Sequence, residues 1–102
     1  MALMQITIIP VGTGSTSVGD HVAGVQKLLK KRGCSCELTD MGTIVYGSAP
    51  ELLRLAADIH EYPFSRGAQR VVTNIMLDDR RDKQQVIGDK RRSVQARLEG
   101  ES

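Results

Sequence analysis

Apolar and polar residues alternate with a period of two in four stretches of the chain, a pattern typical of strands with one buried face. The alternation predicts strands over residues 3–11, 34–39, 43–46 and 70–78. The second and third strands flank Asp40-Met41-Gly42, a tight reversal, and therefore form a hairpin. Pro10 indicates that the first strand ends there or lies at an edge of the sheet.

The segment after the first strand has the three-and-four spacing of an amphipathic helix. Ser17 is a suitable N-cap, with Asp20 three positions on as a capping-box-like partner. The helix is expected to run to about Arg32, because cations fill its last turn and Gly33 suits the C′ position. Its apolar stripe consists of Val22, Val25, Leu28 and Leu29.

A second helix is predicted from Ser48, where a capping residue is followed by a proline in the first turn and by an acid. The face expected to be buried carries Leu52, Leu55, Ala56 and Ile59. Pro63 is expected to kink this helix or end it near Tyr62, because proline removes a helical hydrogen bond and clashes with the preceding turn. Gly67 closes the segment.

The C-terminal segment is polar, and we predict a third helix over residues 82–98. Its apolar stripe is thin and consists of Val86, Ile87, Val94 and Leu98. Gly88 lies inside the predicted helix and costs about 1 kcal/mol relative to alanine. A stripe this thin covers a small surface or needs a partner chain.

The predicted order is β-α-β-β-α-β-α, which indicates an α+β fold. Two right-handed crossovers with a hairpin between them give a ferredoxin-like β-α-β-β-α-β sandwich with an extra C-terminal helix. A chain of 102 residues has the size of one domain, so residues 1–102 form a single ferredoxin-like unit. Both main helices pack on one face of the sheet, and the residues of the open face decide the function.

Hydrophobicity assigns each strand residue to a face. The face toward the helices is expected to carry Met4, Ile6, Ile8, Cys36, Leu38, Val71, Ile75 and Leu77. The open face then carries Gln5, Thr7, Ile9, Ser35, Glu37, Thr39, Val72, Asn74 and Met76, and Thr43 is expected to join them. A face of mixed polarity indicates burial against another sheet or around a ligand. Glu37 can bond a ligand nitrogen or balance a cation, or it can be a plain exposed glutamate.

Charge and composition exclude several classes of protein. Residues 80–98 carry seven basic and two acidic residues, a net charge of +5. This segment can touch phosphates, although a solvated helix face or a subunit contact is the simpler interpretation. Three aromatic residues and no tryptophan supply no stacking platform for single-stranded nucleic acid. No apolar run approaches the roughly 20 residues that span a bilayer, and no signal segment precedes the first strand.

Two short motifs admit both a functional and a structural interpretation. The glycine-rich loop over residues 12–17 can hold an anion at a helix N-terminus. It lacks the lysine of a P-loop and the third glycine of a dinucleotide fingerprint, which favours a turn and a cap. Cys34 and Cys36 are too few for structural zinc and behave as small hydrophobes when buried. Free thiols also suit the reducing cytoplasm.

Two further groups are candidates for chemistry. The acid-and-base run over residues 78–82 can bind Mg²⁺, but its alternating charges favour a local ion-pair network. His60 can act as a general base, but a histidine on a helix beside Glu61 is more often a surface residue. We therefore predict no metal site and no catalytic residue. An enzyme that uses Asp78 or His60 remains an alternative.

Over nearly its whole length the sequence resembles the small thiamine-binding, YkoF-like proteins. The resemblance depends on motifs in the right order and at the right spacing: Ile9-Pro10-Val11-Gly12-Thr13, Ser15-Thr16-Ser17, Glu37, Met41-Gly42-Thr43, Arg70-Val71, Thr73 and Asp78-Asp79-Arg80. It implies a ferredoxin-like protomer whose sheets pack face to face in dimers, often paired into tetramers. It also implies binding of thiamine or its hydroxymethylpyrimidine moiety, without catalysis and without a further cofactor.

We therefore expect a cytoplasmic binding protein, with no nucleic-acid or membrane partner, that holds this ligand at the open sheet face of an oligomer. Glu37 and Asn74 are expected to orient the pyrimidine, and a carboxylate suits the cationic thiazolium. Further contacts are expected from Gln5, Thr7, Thr39, Thr43, Ser15 and Ser17. The alternative is a regulatory interaction module, in which the open face is buried in a dimer and the basic C-terminal helix docks a partner.

Overall fold

The structure of the chain, a computed structural model, describes residues 1–12, 14 and 19–100. The elements follow in the order β1 (Ala2–Pro10), α1 (Gly19–Lys31), β2 (Ser35–Thr39), β3 (Gly42–Gly47), α2 (Ala49–Ser65), β4 (Val71–Asp79) and α3 (Asp89–Glu99). The predicted order of strands and helices is confirmed, and with it the α+β class. None of the described helices has the length and apolar character needed to cross a bilayer.

The four strands form one antiparallel sheet in the order β2-β3-β1-β4. Ile6 at the centre of β1 lies opposite Thr43 of β3 on one side and Ile75 of β4 on the other. Each helix crosses over one intervening strand, α1 between β1 and β2 and α2 between β3 and β4. This arrangement is the ferredoxin-like sandwich that the sequence predicts.

The hydrophobic core lies between the sheet and the two main helices. Alternate residues of β1 are buried there, as the alternating pattern predicts, and they meet buried residues of both helices. The stripe predicted for α2 is buried in full. The largest fully buried side chains are Met4, Leu29, Val45, Leu52, Ile59 and Pro63.

The predicted facing of Thr43 is wrong. Directly opposed residues of an antiparallel pair share a face, and Thr43 opposes the buried Ile6. Its side chain is therefore turned toward the helices and is only 5% exposed. The hydroxyl accepts a hydrogen bond from Nε2 of Gln26 on α1 at 3.0 Å, which satisfies it away from the open face.

Two predicted core residues face the helices but are exposed, whereas Cys36, Val71 and Leu77 are partly buried against the core. Leu38 lies on β2 and Ile75 on β4, the two outer strands of the sheet, and each is about half exposed. Alternation along a strand predicts which face a residue occupies. It does not predict whether a helix covers the residue at that position.

The helix ends follow local chemistry. Gly33 has φ +68°, and the N–H groups of Gly33 and Cys34 bond to the carbonyls of Lys30 and Leu29, a Schellman motif that ends α1 as predicted. Ser48 caps α2 and accepts a bond from the N–H of Glu51 at 3.3 Å. The capping role predicted for Ser17 lies outside the described residues.

The expectation that Pro63 ends α2 near Tyr62 is wrong, because the helix continues to Ser65. Pro63 lies in the last turn, where its missing donor removes only one helical bond before the helix ends. Its ring is buried in the core, and its carbonyl accepts bonds from the N–H groups of Arg66 and Ala68. These interactions offset the lost hydrogen bond.

The C-terminal helix begins later than predicted. The expected helix covers residues 82–98, whereas α3 spans Asp89–Glu99 and residues 80–88 form a non-helical segment, which we call the strap. Gly88 takes φ +95°, a left-handed conformation that breaks a helix at this point. α3 has no buried residue, so its apolar positions Val94 and Leu98 are exposed.

Candidate functional site

The open face of the sheet carries a groove of about 520 Å³, which we call the open-face groove. Its floor is a row of side chains across all four strands, in the order Glu37, Ile44, Gln5 and Met76. These residues share a face because each is directly opposite the next in the antiparallel register. The floor is therefore apolar at two positions and hydrogen-bonding at two.

The strap and the first turn of α3 form the wall of the groove. Gln85 is the anchor, since its side chain is only 7% exposed and its Nε2 donates to the carbonyl of Asp78 at 3.1 Å. The N–H of Val86 donates to Oδ2 of Asp89 at 2.8 Å, which fixes the turn between strap and helix. These bonds hold Val86 and Ile87 over the sheet, where they line the groove.

Charges stand at the edges of the groove. The carboxylates of Glu37 and Asp78 lie on the strand side, and Lys90 and Arg91 lie on the wall. Nη2 of Arg91 lies 3.4 Å from Oε2 of Glu37, with the arginine side chain 74% exposed. An ion pair this exposed and this long contributes at most about 1 kcal/mol. A ligand can therefore displace it at small cost.

The strap is held by further ion pairs. Arg80 pairs with Asp82 and Arg81 with Asp79, which is the network that the alternating charges predict. The Arg80 guanidinium lowers the pKa of Asp82 to about 2. The pKa of Asp89 is held below its usual range. The largest cause is the hydrogen bond that its carboxylate accepts from the N–H of Val86, and the next is the hydrogen bond from Arg92.

The structure brings together three of the residues predicted to bind ligand. Gln5, Glu37 and Thr39 all line the open-face groove. The hydroxyl of Thr39 is used by the hairpin, since it donates to the carbonyl of Gly42 at 2.8 Å and accepts from the N–H of Met41 at 3.2 Å. Gln5 and Glu37 therefore carry the polar chemistry of the floor.

Two other predicted residues lie on the open face but outside this groove. Thr7 and Asn74 oppose one another on β1 and β4, one row beyond Gln5 and Met76. Thr43 is on the opposite face, as described above. Ser15 and Ser17 lie outside the described residues.

Sequence reasoning missed the wall of the groove and part of its floor. It did not place Leu3, Ile44 and Asp78 at the site, and it assigned residues 85–88 to a helix. Gly88 was the signal that could have found the wall, because a glycine followed by an aspartate marks the start of a helix more often than its interior.

Within residues 1–12, 14 and 19–100, the remaining candidates do not join the open-face groove. Among the described residues no cluster of three or more metal-ligating side chains occurs. Cys34 and Cys36 are free thiols that pack beside the core, and burial raises the pKa of Cys36. Nδ1 of His60 lies 2.7 Å from Oγ1 of Thr73, and the ring stacks edge-on against Phe64, so His60 is held at the sheet rather than in the groove.

The family model described as "Thiamine-binding protein" matches residues 4–95. The chain belongs to this family. The UPF0045 protein YqgV of Bacillus subtilis is 42% identical over 103 residues, which cover 97% of this chain and 99% of the relative. The UPF0045 protein of Methanothermobacter thermautotrophicus is 35% identical over 99 residues, covering 96% and 100%. The predicted family resemblance is thereby confirmed.

Solved structures share the fold of this family member. A hypothetical protein of Methanocaldococcus jannaschii superposes with a TM-score of 0.81 at 29% identity, covering 92% of this chain and 95% of the other. A Thermotoga maritima protein, provisionally named for thiamine biosynthesis or salvage, superposes with a TM-score of 0.75 at 16% identity, covering 91% and 97%. At that identity the second likeness supports the fold alone.

Proposed function

We propose that this member of the thiamine-binding protein family binds thiamine, or its hydroxymethylpyrimidine moiety, in the open-face groove without chemical change. The observation that carries the proposal is the groove itself. Its volume of about 520 Å³ lies within the roughly 300–1,000 Å³ of small-molecule sites, and it combines apolar surface from floor and wall with convergent polar groups.

The chemistry of the floor suits both rings of thiamine. Ile44, Met76 and Leu3 offer apolar surface to a flat ring. The amide of Gln5 can donate to and accept from the aminopyrimidine, and the carboxylate of Glu37 can accept from its amino group. Glu37 and Asp78 also favour a cationic thiazolium, because charge-assisted contacts are stronger than neutral ones.

The absence of catalysis is part of the proposal. No group on the floor of the groove is an evident nucleophile, and His60 is bonded to Thr73 outside it. In this proposal thiamine is ligand rather than substrate, and the protein stores, delivers or senses it in the cytoplasm. The two free cysteines support that compartment.

The proposal also includes association of protomers through their open faces. Ile9 and Val72 oppose one another at the end of the face that the strap leaves free, and both are exposed. A second sheet laid on this end would bury them and close the groove from above. Such closure would raise affinity by excluding water from the ligand.

The decisive experiment is titration calorimetry of the purified protein with thiamine, hydroxymethylpyrimidine and thiamine pyrophosphate. We expect saturable heat with thiamine, and heat with hydroxymethylpyrimidine as well if the pyrimidine ring alone is recognised. A folded protein that gives no heat with any of the three would refute the proposal. The regulatory interaction module would then be the better description, with the exposed α3 as its docking element.

Glu37→Gln tests the placement of the ligand. The variant keeps the shape of the side chain and removes its charge, so we expect at least tenfold weaker binding of thiamine, equivalent to about 1.4 kcal/mol. Glu51→Gln is the matched control, because Glu51 lies in the first turn of α2 on the other side of the sheet. Unchanged affinity of Glu37→Gln would remove Glu37 from the site.

A further inference from the structure

Opposite charges face each other in the open-face groove. Glu37 lies at the β2 end of the floor, and Lys90 and Arg91 lie on the wall, in the first turn of α3. Among the described residues, Lys90 makes no ion pair, and Arg91 makes only the exposed one with Glu37. Asp78 is on β4, at the far edge of the sheet. The wall therefore carries one more positive charge than Glu37 balances.

The remaining carboxylate of the groove does not cancel the charge of the wall. Asp89 accepts a backbone hydrogen bond and pairs with the guanidinium of Arg92, so its own charge is already balanced. α3 has Gly88 at its N-cap, which has no side chain to occupy the N–H groups of Lys90 and Arg91. The positive end of the helix dipole thus adds to the two cationic side chains.

The contact between Glu37 and Arg91 decides which ligand suits this arrangement. The two groups lie 3.4 Å apart, so a ligand that enters between them separates the pair. A ligand that carries only a cation, such as thiamine, satisfies Glu37 and leaves the guanidinium of Arg91 without its partner. A ligand that carries an anion beside its cation satisfies both groups, so that two ion pairs replace the one that is lost.

We propose that the open-face groove selects a phosphorylated form of thiamine, with the thiazolium beside Glu37 and the phosphate beside Lys90 and Arg91. The inference rests on the proposed function, since it names the form of the ligand that the same groove prefers. The phosphate of thiamine monophosphate is joined to the thiazolium by a short ethyl chain, so the two charges of the ligand are neighbours, as those of the groove are.

The chemistry of the wall suits a phosphate in particular. A phosphate monoester carries close to two negative charges near neutral pH, which two cations can balance. Arginine can bond two phosphate oxygens at once, and lysine supplies a flexible point charge. The pyrimidine then extends over Ile44 toward Gln5, which lies two strands from Glu37, about 10 Å across the sheet. Two linked rings can cover this span.

The test is titration calorimetry with thiamine and thiamine monophosphate. We expect the wild type to bind the monophosphate about tenfold more tightly, because it gains a charge-assisted contact. The preference should shrink at high salt, since the charged groups of the wall are exposed and screened. Equal affinity for the two ligands, or a preference for thiamine, would overturn the inference and leave the proposed function intact. No heat with either ligand would refute the proposed function and this inference with it.

Two variants test whether the wall is the source of the preference. Lys90→Gln and Arg91→Ala each remove one cation, so each should bind the monophosphate about fivefold more weakly. Each should bind thiamine as tightly as the wild type or more tightly, because a positive charge near the thiazolium is gone. A damaged groove would instead weaken both ligands, and that result would contradict the assignment.

Arg97→Ala is the matched control, because Arg97 lies on the same helix but does not line the groove. This variant loses the same charge and should keep the wild-type ratio of the two affinities. If it lost the preference as fully as Lys90→Gln, the effect would come from the net charge of the protein, and the phosphate position on the wall would be wrong.

Discussion

Nη2 of Arg91 lies 3.4 Å from Oε2 of Glu37, so a residue of the first turn of α3 reaches across the open-face groove to the floor. The two residues are 54 positions apart in the sequence. This contact occupies the one carboxylate at the centre of β2, the same group that a cationic ligand is proposed to use. Arg91 and such a ligand therefore compete.

Arg91→Ala is expected to bind thiamine more tightly than the wild type. The exposed ion pair contributes at most about 1 kcal/mol, so the gain is up to about fivefold. Titration calorimetry at low and high salt checks this, and the advantage should shrink as salt screens the pair in the wild type. Arg97→Ala, on the same helix, is the control. Weaker binding by Arg91→Ala would mean that Arg91 contacts the ligand instead.

Acid is expected to release the strap. The folded-state pKa values of Asp82 and Asp89 are lowered, that of Asp82 to about 2, so their interactions stabilise the strap fully above the unfolded value of 3.8. This stabilisation is lost as pH falls through the folded values, between about pH 4 and pH 2. The amide signal of Val86, followed by NMR against pH, reports the loss directly.

Asp89→Asn separates the two acids in this pH experiment. Asparagine can still accept the bond from the N–H of Val86 but does not titrate in this range. We expect the Val86 signal of the variant to move less between pH 4 and pH 2 than that of the wild type. An identical titration in both proteins would assign the change to Asp82 alone.

Gly88→Ala tests the junction between strap and helix. The φ of +95° is strained for alanine, and an added Cβ would lie 2.8 Å from Nη1 of Arg92. A left-handed conformation costs a non-glycine residue about 1–2 kcal/mol. We expect faster amide hydrogen exchange over residues 85–89 with an unchanged global melting temperature, because α3 buries nothing. Gly100→Ala, at φ −76°, is the control and should exchange like the wild type.

The strengths and failures of prediction from the sequence have physical causes. The buried stripe of α2 and the two faces of β1 were predictable. The helical and strand periods place apolar residues on one face, and burial of that face in the core stabilises the fold. Thr43 was assigned to the wrong face because β3 is short and its register with β1 is set by the turn at Asp40 and Met41. The polarity of the threonine side chain favoured a solvent-facing position, but its hydroxyl is buried and accepts a hydrogen bond from Gln26.

The candidate site was only half predictable for a related reason. The positions of Gln5 and Glu37 on the open face follow from strand alternation. The position of the wall depends instead on the path of the chain after β4. Helical spacing of apolar residues is weak evidence in a polar segment. The prediction from that spacing therefore extended α3 through Gly88 into the strap. The bonds that direct the strap, from Gln85 to Asp78 and from Val86 to Asp89, join groups that no periodicity relates.

Gly24→Ala is expected to destabilise the packing of α1 on α2. Gly24 is buried, and a Cβ there would overlap the phenol ring and hydroxyl of Tyr62. Relief requires the Tyr62 side chain to move, and overpacking of this kind costs about 1–3 kcal/mol. Urea denaturation measures the cost. Tyr62→Ala removes the obstacle, so the same glycine substitution in that background should be neutral or stabilising, since alanine is the better helix former. An equal cost in both backgrounds would show that the close approach to Tyr62 does not explain the glycine.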